Sequence, residues 1–188
     1  MSSSLRHLPN IISVARILLV GPIIWCLLNG EFTLAIWLFL LAGASDGLDG
    51  FLAKRFGWSS RLGGILEALA DKILLISTLV CLWWLGIFPW WLVLSVLARD
   101  LLIVIGATVY NFRIEAVQPE PTLISKLNTV LQIALAAVGV AALGFTGIPA
   151  WVVQALIWAV MLTILLSGTG YVREWSRRAR VVGGRNDV

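Results

Sequence analysis

The sequence predicts an all-α, polytopic membrane protein built as a six-transmembrane-helix bundle. Three observations carry that prediction. Hydrophobic residues make up 60% of the 188 and charged residues 13%, with a mean hydropathy of +0.95, whereas soluble domains average roughly a quarter charged. Six apolar segments, each near the ~20 residues that cross a bilayer, are separated by short polar breaks. Lys and Arg fall at the two ends and in alternate connections, the bias that sets the orientation of membrane helices. A water-soluble protein with several buried helices does not fit this apolar content.

The first span is Ile11–Leu28. It follows a Ser-rich start with Pro9 and Asn10 and no small-residue cleavage site, so it reads as a retained helix rather than a signal peptide. Asn29-Gly30-Glu31 closes it, and the second span is Phe32–Phe51. Ile65–Leu85 and Trp90–Tyr110 follow, joined by Gly86-Ile87-Phe88-Pro89. Leu127–Phe145 and Ala150–Gly170 complete the set, with Gly144 to Pro149 between them. Trp83, Trp84, Phe88, Trp90 and Trp91 cluster about one turn and read as an aromatic belt at the lipid interface.

Arg6 precedes the first span, and Lys54, Arg55 and Arg61 lie between spans two and three. Arg113 and Lys126 flank the connection between four and five, and Arg173, Arg177, Arg178, Arg180 and Arg185 follow the last span. The other three connections carry no Lys or Arg, so both termini are expected on the cytoplasmic side, in a bacterial inner membrane. One membrane domain is expected over residues 1–175, and a basic tail over 176–188, with Val181 to Val188 flexible. Arg113 to Ser125, with Pro119, Glu120 and Pro121, is the one linker-like stretch, and no internal repeat is visible. The net charge of +4 comes largely from the tail; it fits anionic lipid head groups and implies no nucleic-acid partner. Cys26 and Cys81 fall inside spans and read as small core residues without a disulfide.

Against this apolar background four carboxylates stand close together: Asp46, Asp49, Glu67 and Asp71. Spacings of three and four residues put each pair on one helix face. Span two ends, and span three begins, on the cytoplasmic side, joined by a short loop, so the two helices are expected as antiparallel neighbours. The four acids then converge just below that surface. Acids held so close repel, and cations must offset them. Lys54, Arg55, Arg61, Lys72 and Arg99 could do so as salt bridges. Alternatively a divalent metal binds, for which oxygen ligands favour Mg²⁺ or Mn²⁺. No His or Cys lies near, which argues against zinc. Gly43, Gly47, Gly50, Gly63 and Gly64 interrupt these helices; close approach of a phosphate-bearing ligand would explain them, and so would small-residue helix packing.

The run Asp46-x2-Asp49-Gly50-x2-Ala53-Lys54-x8-Gly63-x3-Glu67-x3-Asp71 resembles the signature of the CDP-alcohol phosphatidyltransferases, D-x2-DG-x2-AR-x8-G-x3-D-x3-D, with every spacing kept. The opening Pro9-Asn10-x2-Ser13-x2-Arg16 is similar to the family's PN-x2-[ST]-x2-R. Ser125-Lys126-x2-Thr129 resembles the GK-x2-T element of the phosphatidylglycerophosphate synthase and cardiolipin synthase branch, with Ser125 in place of Gly. Two positions depart from the signature. Lys54 replaces Arg and gives up the bidentate fork; Glu67 replaces Asp and adds a methylene to a ligand where Mg²⁺ geometry is strict.

The resemblance implies a homodimeric membrane enzyme that uses two Mg²⁺ or Mn²⁺ ions. Asp46, Asp49 and Glu67 would hold one ion, and Asp46, Glu67 and Asp71 the other. CDP-diacylglycerol would be the donor, with Asn10, Ser13, Arg16, Gly50, Ala53, Lys54, Ser60 and Gly63 about it. Asp71 would also serve as general base toward the acceptor alcohol, with glycerol 3-phosphate as first choice and phosphatidylglycerol, the cardiolipin synthase acceptor, as second. Arg99 lies mid-span beside Asp100, and two readings stand: an acid neutralises it, or Arg99 and Lys126 bind the acceptor's phosphate. Two readings of another class remain, a catalytically degenerate homologue and an ion or metal transporter. The acids lie toward one surface without repeat symmetry, unlike a transporter's midplane site.

Overall fold

The computed structural model describes residues 8–56, 61–113 and 123–183, with side chains described over 10–47, 63–105 and 123–168. These residues form α1 (Leu8–Leu28), α2 (Phe32–Phe56), α3 (Arg61–Trp84), α4 (Trp90–Arg113), α5 (Leu123–Gly144) and α6 (Ala150–Gly183). No strand occurs among them. Among the described residues, three helices carry stretches long and apolar enough to cross a membrane, Asn10–Leu28, Leu123–Gly144 and Ala150–Gly168. In α2 the described side chains end at Gly47, and Phe32–Gly47 is an apolar stretch up to that point. Residues 57–60 and 114–122 lie outside the described residues, and with them most of the expected linker. Helix α6 continues past the expected start of the tail to Gly183; Arg is a good helix former, and its charge is favourable near a helix C-terminus.

Two helix ends follow from glycine placement. Gly30 (φ +80°) and Gly86 (φ +78°) take the left-handed conformation that ends a helix. After α1, Glu31 N–H donates to Cys26 O at 2.9 Å and Gly30 N–H to Leu27 O at 3.5 Å. After α3, Ile87 N–H donates to Leu82 O and Gly86 N–H to Trp83 O, both at 2.9 Å. Carbonyls that the helix end leaves unpaired are thereby satisfied.

The chain divides into two units. The first draws on Met1–Pro89 and Leu135–Ala150. In it α1 packs against both α2 and α3, so the described contact that gathers α2 and α3 runs through α1. Helix α1 has two faces. Ile11, Leu18 and Trp25 are exposed, whereas Ser13, Arg16, Val20, Ile23 and Leu27 are buried. Large apolar side chains left outside in such number suit lipid, not water. Cys26 and Cys81 are buried free thiols, as expected. Trp83 and Trp84 are exposed and meet edge to face at 6.5 Å. Phe88, expected in the belt, is instead a core residue, 2% exposed. The reason is Gly139 on α5, whose missing side chain leaves room for the Phe88 ring: a Cβ there would lie 2.6 Å from Phe88 Cζ and 2.9 Å from Leu82 Cδ1.

The second unit draws on Trp90–Ala134 and Trp151–Val188. On α4, Leu92, Val93 and Val96 are buried while Leu94, Leu101 and Leu102 are exposed. Trp91 packs on Trp158 of α6 with ring centroids 6.1 Å apart, so it too serves packing within this unit.

Glycines at two positions should respond in opposite ways to alanine. Gly139→Ala forces the Phe88 ring or α5 to shift and is expected to destabilise by about 1–3 kcal/mol. Gly43→Ala meets nothing within 4 Å and should stabilise by up to about 1 kcal/mol through helix propensity. Thermal unfolding of the two variants in detergent checks this, and equal shifts would contradict the packing described.

Candidate active site

The site begins with an arginine inside an apolar helix. Arg16 is 0% exposed, and a guanidinium in such surroundings requires acids. Its Nη1 donates to Asp46 Oδ1 at 2.6 Å and also to Asp71 Oδ1. One nitrogen thus joins an acid of α2 to an acid of α3, thirty and fifty-five residues away along the chain. The two acids are not sealed. The Asp46 and Asp71 side chains keep 34% and 45% exposure, so oxygen surface remains available to a ligand on the side away from Arg16.

The other expected site residues fall as follows. Asn10 is half-buried and Ser13 buried, both on α1 with Arg16. Glu67 is half-buried on α3, one turn before Asp71, and Gly63 is half-buried one turn earlier. Asp49, Gly50, Ala53 and Lys54 lie on α2, beyond the described side chains, and Ser60 lies outside the described residues. The structure therefore brings together the first and last acids of the quartet. Among the described residues no group of three or more His, Cys, Asp and Glu is gathered closely enough to hold a metal; Glu67 does not complete one with Asp46 and Asp71.

Two observations nevertheless fit a hard divalent cation here. Two carboxylates already converge on a positive group, the Arg16 guanidinium, and they offer only oxygen donors. In addition, a Cβ at Gly43, Gly47 or Gly64 would meet nothing within 4 Å. Among the described residues, close packing does not account for those three glycines. They leave the helices near Asp46 and Glu67 bare, as a bulky phosphate ligand would need.

The second unit holds its own buried arginine. Arg99 is 7% exposed; its Nη1 donates to Asp100 Oδ1 at 2.8 Å, and its Nη2 donates to Ser125 Oγ at 2.5 Å and Ser167 Oγ at 3.4 Å. Of the two readings of Arg99, the acid partner is present: Asp100 supplies it. Lys126 is exposed at the start of α5. Further along α5, Asn128 Oδ1 accepts a hydrogen bond from Thr163 Oγ1 at 2.9 Å, and Gln132 is fully buried.

Sequence reasoning missed several of these residues. It named Lys54, Arg55, Arg61, Lys72 and Arg99 as candidate cations for the quartet and Arg16 only as a donor-side residue; among the described residues Arg16 pairs with Asp46 and Asp71, while the side chains of Lys54, Arg55 and Arg61 lie outside those described. A lone Arg amid the apolar residues of span one was the available signal. Asn128, Gln132, Thr163 and Ser167 were also passed over, although polar residues at helical spacing inside spans mark helix–helix contacts.

Comparison with known proteins agrees with this geometry. The family model for CDP-alcohol phosphatidyltransferase matches residues 6–166. A Streptomyces coelicolor protein named cardiolipin synthase (CMP-forming) is 42% identical over 107 residues, covering 53% of this chain and 50% of the relative. The rat protein of the same name is 28% identical, covering 95% of this chain and 64% of the relative. A rice protein named CDP-diacylglycerol–glycerol-3-phosphate 3-phosphatidyltransferase 1, chloroplastic, is 35% identical over 185 residues, covering 88% of this chain and 56% of the relative. The chain thus spans between half and two thirds of the length of these relatives. With a family match over most of its length, the signature spacing intact, and the outer acids of that signature joined through Arg16, the chain belongs to the CDP-alcohol phosphatidyltransferase family.

Proposed function

We propose that this protein is an integral membrane phosphatidyltransferase that moves the phosphatidyl group of CDP-diacylglycerol onto a glycerol hydroxyl and releases CMP. The observation that carries the reading is the convergence of Asp46 and Asp71 from two helices in a chain of this family. Glycerol 3-phosphate is the first acceptor, in keeping with the name of the rice relative. Phosphatidylglycerol is the second, and the relatives named cardiolipin synthase favour it. The six apolar runs are read as six spans and the Lys and Arg distribution as placing both termini on the cytoplasmic side, in what we take to be a bacterial inner membrane. A homodimer follows from the resemblance.

In this reading Asp46, Asp49, Glu67 and Asp71 would hold Mg²⁺ or Mn²⁺, which when bound would supply positive charge to offset that of the donor diphosphate. The remaining work belongs to the chain. Asp71 takes the proton from the acceptor hydroxyl. That oxygen forms a bond to the phosphorus bearing diacylglycerol, the bond from that phosphorus to the CMP oxygen breaks, and CMP leaves with the electron pair. Lys54 and Ser60 hold the diphosphate, Gly50, Ala53 and Gly63 give the nucleotide room, and Asn10, Ser13 and Arg16 close the donor side. Lys126, exposed and free of the apolar core, is the better placed cation for an acceptor phosphate, since Arg99 is already paired with Asp100.

The test is CMP release by purified protein with CDP-diacylglycerol, Mg²⁺ or Mn²⁺, and a panel of acceptors; no release with any acceptor or metal would end this reading. Asp71→Asn is expected to abolish turnover while retaining metal-dependent donor binding, and undiminished turnover would remove Asp71 as the base. Glu67→Asp should equal or exceed the parent rate; a large loss would show a site tuned to the longer acid. Lys126→Ala is expected to raise KM for glycerol 3-phosphate at least tenfold, with kcat changed less. An unchanged KM would exclude Lys126 from the acceptor site.

A further inference from the structure

Arg16 sits where a metal-binding reading needs a metal to act. Its Nη1 already donates to one oxygen of Asp46 and one of Asp71, and the side chain is fully buried between α1, α2 and α3. A carboxylate oxygen engaged by a guanidinium is a weaker ligand, because its lone pairs and charge are shared. A guanidinium and a divalent ion drawn to the same two acids also repel each other, most strongly where little water screens them. We infer that Arg16 is a built-in counter-ion that competes with divalent metal for Asp46 and Asp71, so that metal loads only as the guanidinium yields at least part of its hold. The inference rests on the reading in which those acids bind Mg²⁺ or Mn²⁺.

The arrangement has two sides. Without Arg16 the two carboxylates would face each other unneutralised across two helices, and the metal-free protein would lose the contact that gathers α1, α2 and α3. With Arg16 the metal-free protein is held together, and metal is bound more weakly than by the bare acids. Arg16 therefore acts as a positioning residue for Asp46 and Asp71 and sets how readily the site exchanges metal. A donor diphosphate adds negative charge and favours the metal in this competition, which couples metal loading to donor binding.

The experiment is Mn²⁺ titration of the purified protein, with free Mn²⁺ followed by electron paramagnetic resonance, for the parent, Arg16→Lys and Arg16→Gln. Arg16→Gln is expected to bind Mn²⁺ at least tenfold more tightly, about 1.4 kcal/mol. Arg16→Lys, which keeps the charge, should stay within about threefold of the parent. Metal-free Arg16→Gln should also melt below the parent, with the gap narrowing at saturating Mn²⁺. Equal or weaker Mn²⁺ binding by Arg16→Gln, or identical affinities for the Lys and Gln variants, would overturn the inference.

Should Arg16→Gln fail to fold, the parent protein labelled with ¹⁵N in its arginines answers the same question. The guanidinium resonance absent from Arg16→Lys must move on Mg²⁺ addition, and an unmoved resonance at saturation overturns the inference. A parent that releases CMP while its Mn²⁺ affinity ignores Arg16 defeats this inference alone. Absence of both Mn²⁺ binding and CMP release defeats the functional reading with it.

Discussion

A single guanidinium nitrogen shared between Asp46 and Asp71 is the constraint around which the first unit is arranged. Burying an unpaired Arg in an apolar bundle costs several kcal/mol at least, so α1 cannot sit at this depth unless both acids come to it. Asp46 ties α2 to α1 through this contact, and Asp71 ties α3 to it. The rest of the inner stripe of α1, from Val20 to Leu27, then fills the apolar space beyond the ionic contact. Breaking such a pair on one side costs more than the pair contributes, because the remaining charge stays buried. The contact is accordingly better understood as fixing register than as adding stability.

The second unit solves a similar problem with different partners. Arg99 is neutralised by its own neighbour Asp100 and then reaches hydroxyls on α5 and α6. A local acid cannot join two helices, so the joining falls to Ser125, Ser167 and the Asn128–Thr163 hydrogen bond. Such hydrogen bonds inside membranes contribute about 0.6 kcal/mol each on average, which is small. Their value lies in direction, since each requires one rotation of α5 against α6. The Gln132 amide atoms and Asn128 Nδ2 find no partner among the described residues, so this face of α5 carries more polar capacity than the contacts there consume.

Much of the fold was legible because helix length and composition are local properties. The helix starts at Phe32, Trp90 and Ala150 coincide with the apolar runs, and the stops after Leu28 and Trp84 follow from Gly30 and Gly86. What was not legible depends on contacts between distant residues. Nothing local distinguishes Phe88 from the tryptophans around it, and only the gap at Gly139 turns it inward. Of the four acids named from their spacing, Asp46 and Asp71 come together through Arg16, Glu67 forms no close acid group with them among the described residues, and the Asp49 side chain lies outside those described. The pairing of Arg16 with Asp46 and Asp71 was not legible, because Arg16 reaches them across thirty and fifty-five residues. A buried charge is neutralised by whatever is close in space, and sequence distance carries no information about that.

The same geometry bears on the acid that departs from the family signature. If all four acids carried the architecture equally, an added methylene at Glu67 would disturb the whole site, since carboxylate positions around Mg²⁺ tolerate little displacement. The structure distributes the burden unevenly. Asp46 and Asp71 hold the helices through Arg16, while Glu67 stands half-buried one turn away and forms no close acid group with them among the described residues. The substitution therefore falls one turn before Asp71 on α3, and not on either of the two acids, Asp46 and Asp71, through which Arg16 joins α1 to α2 and α3.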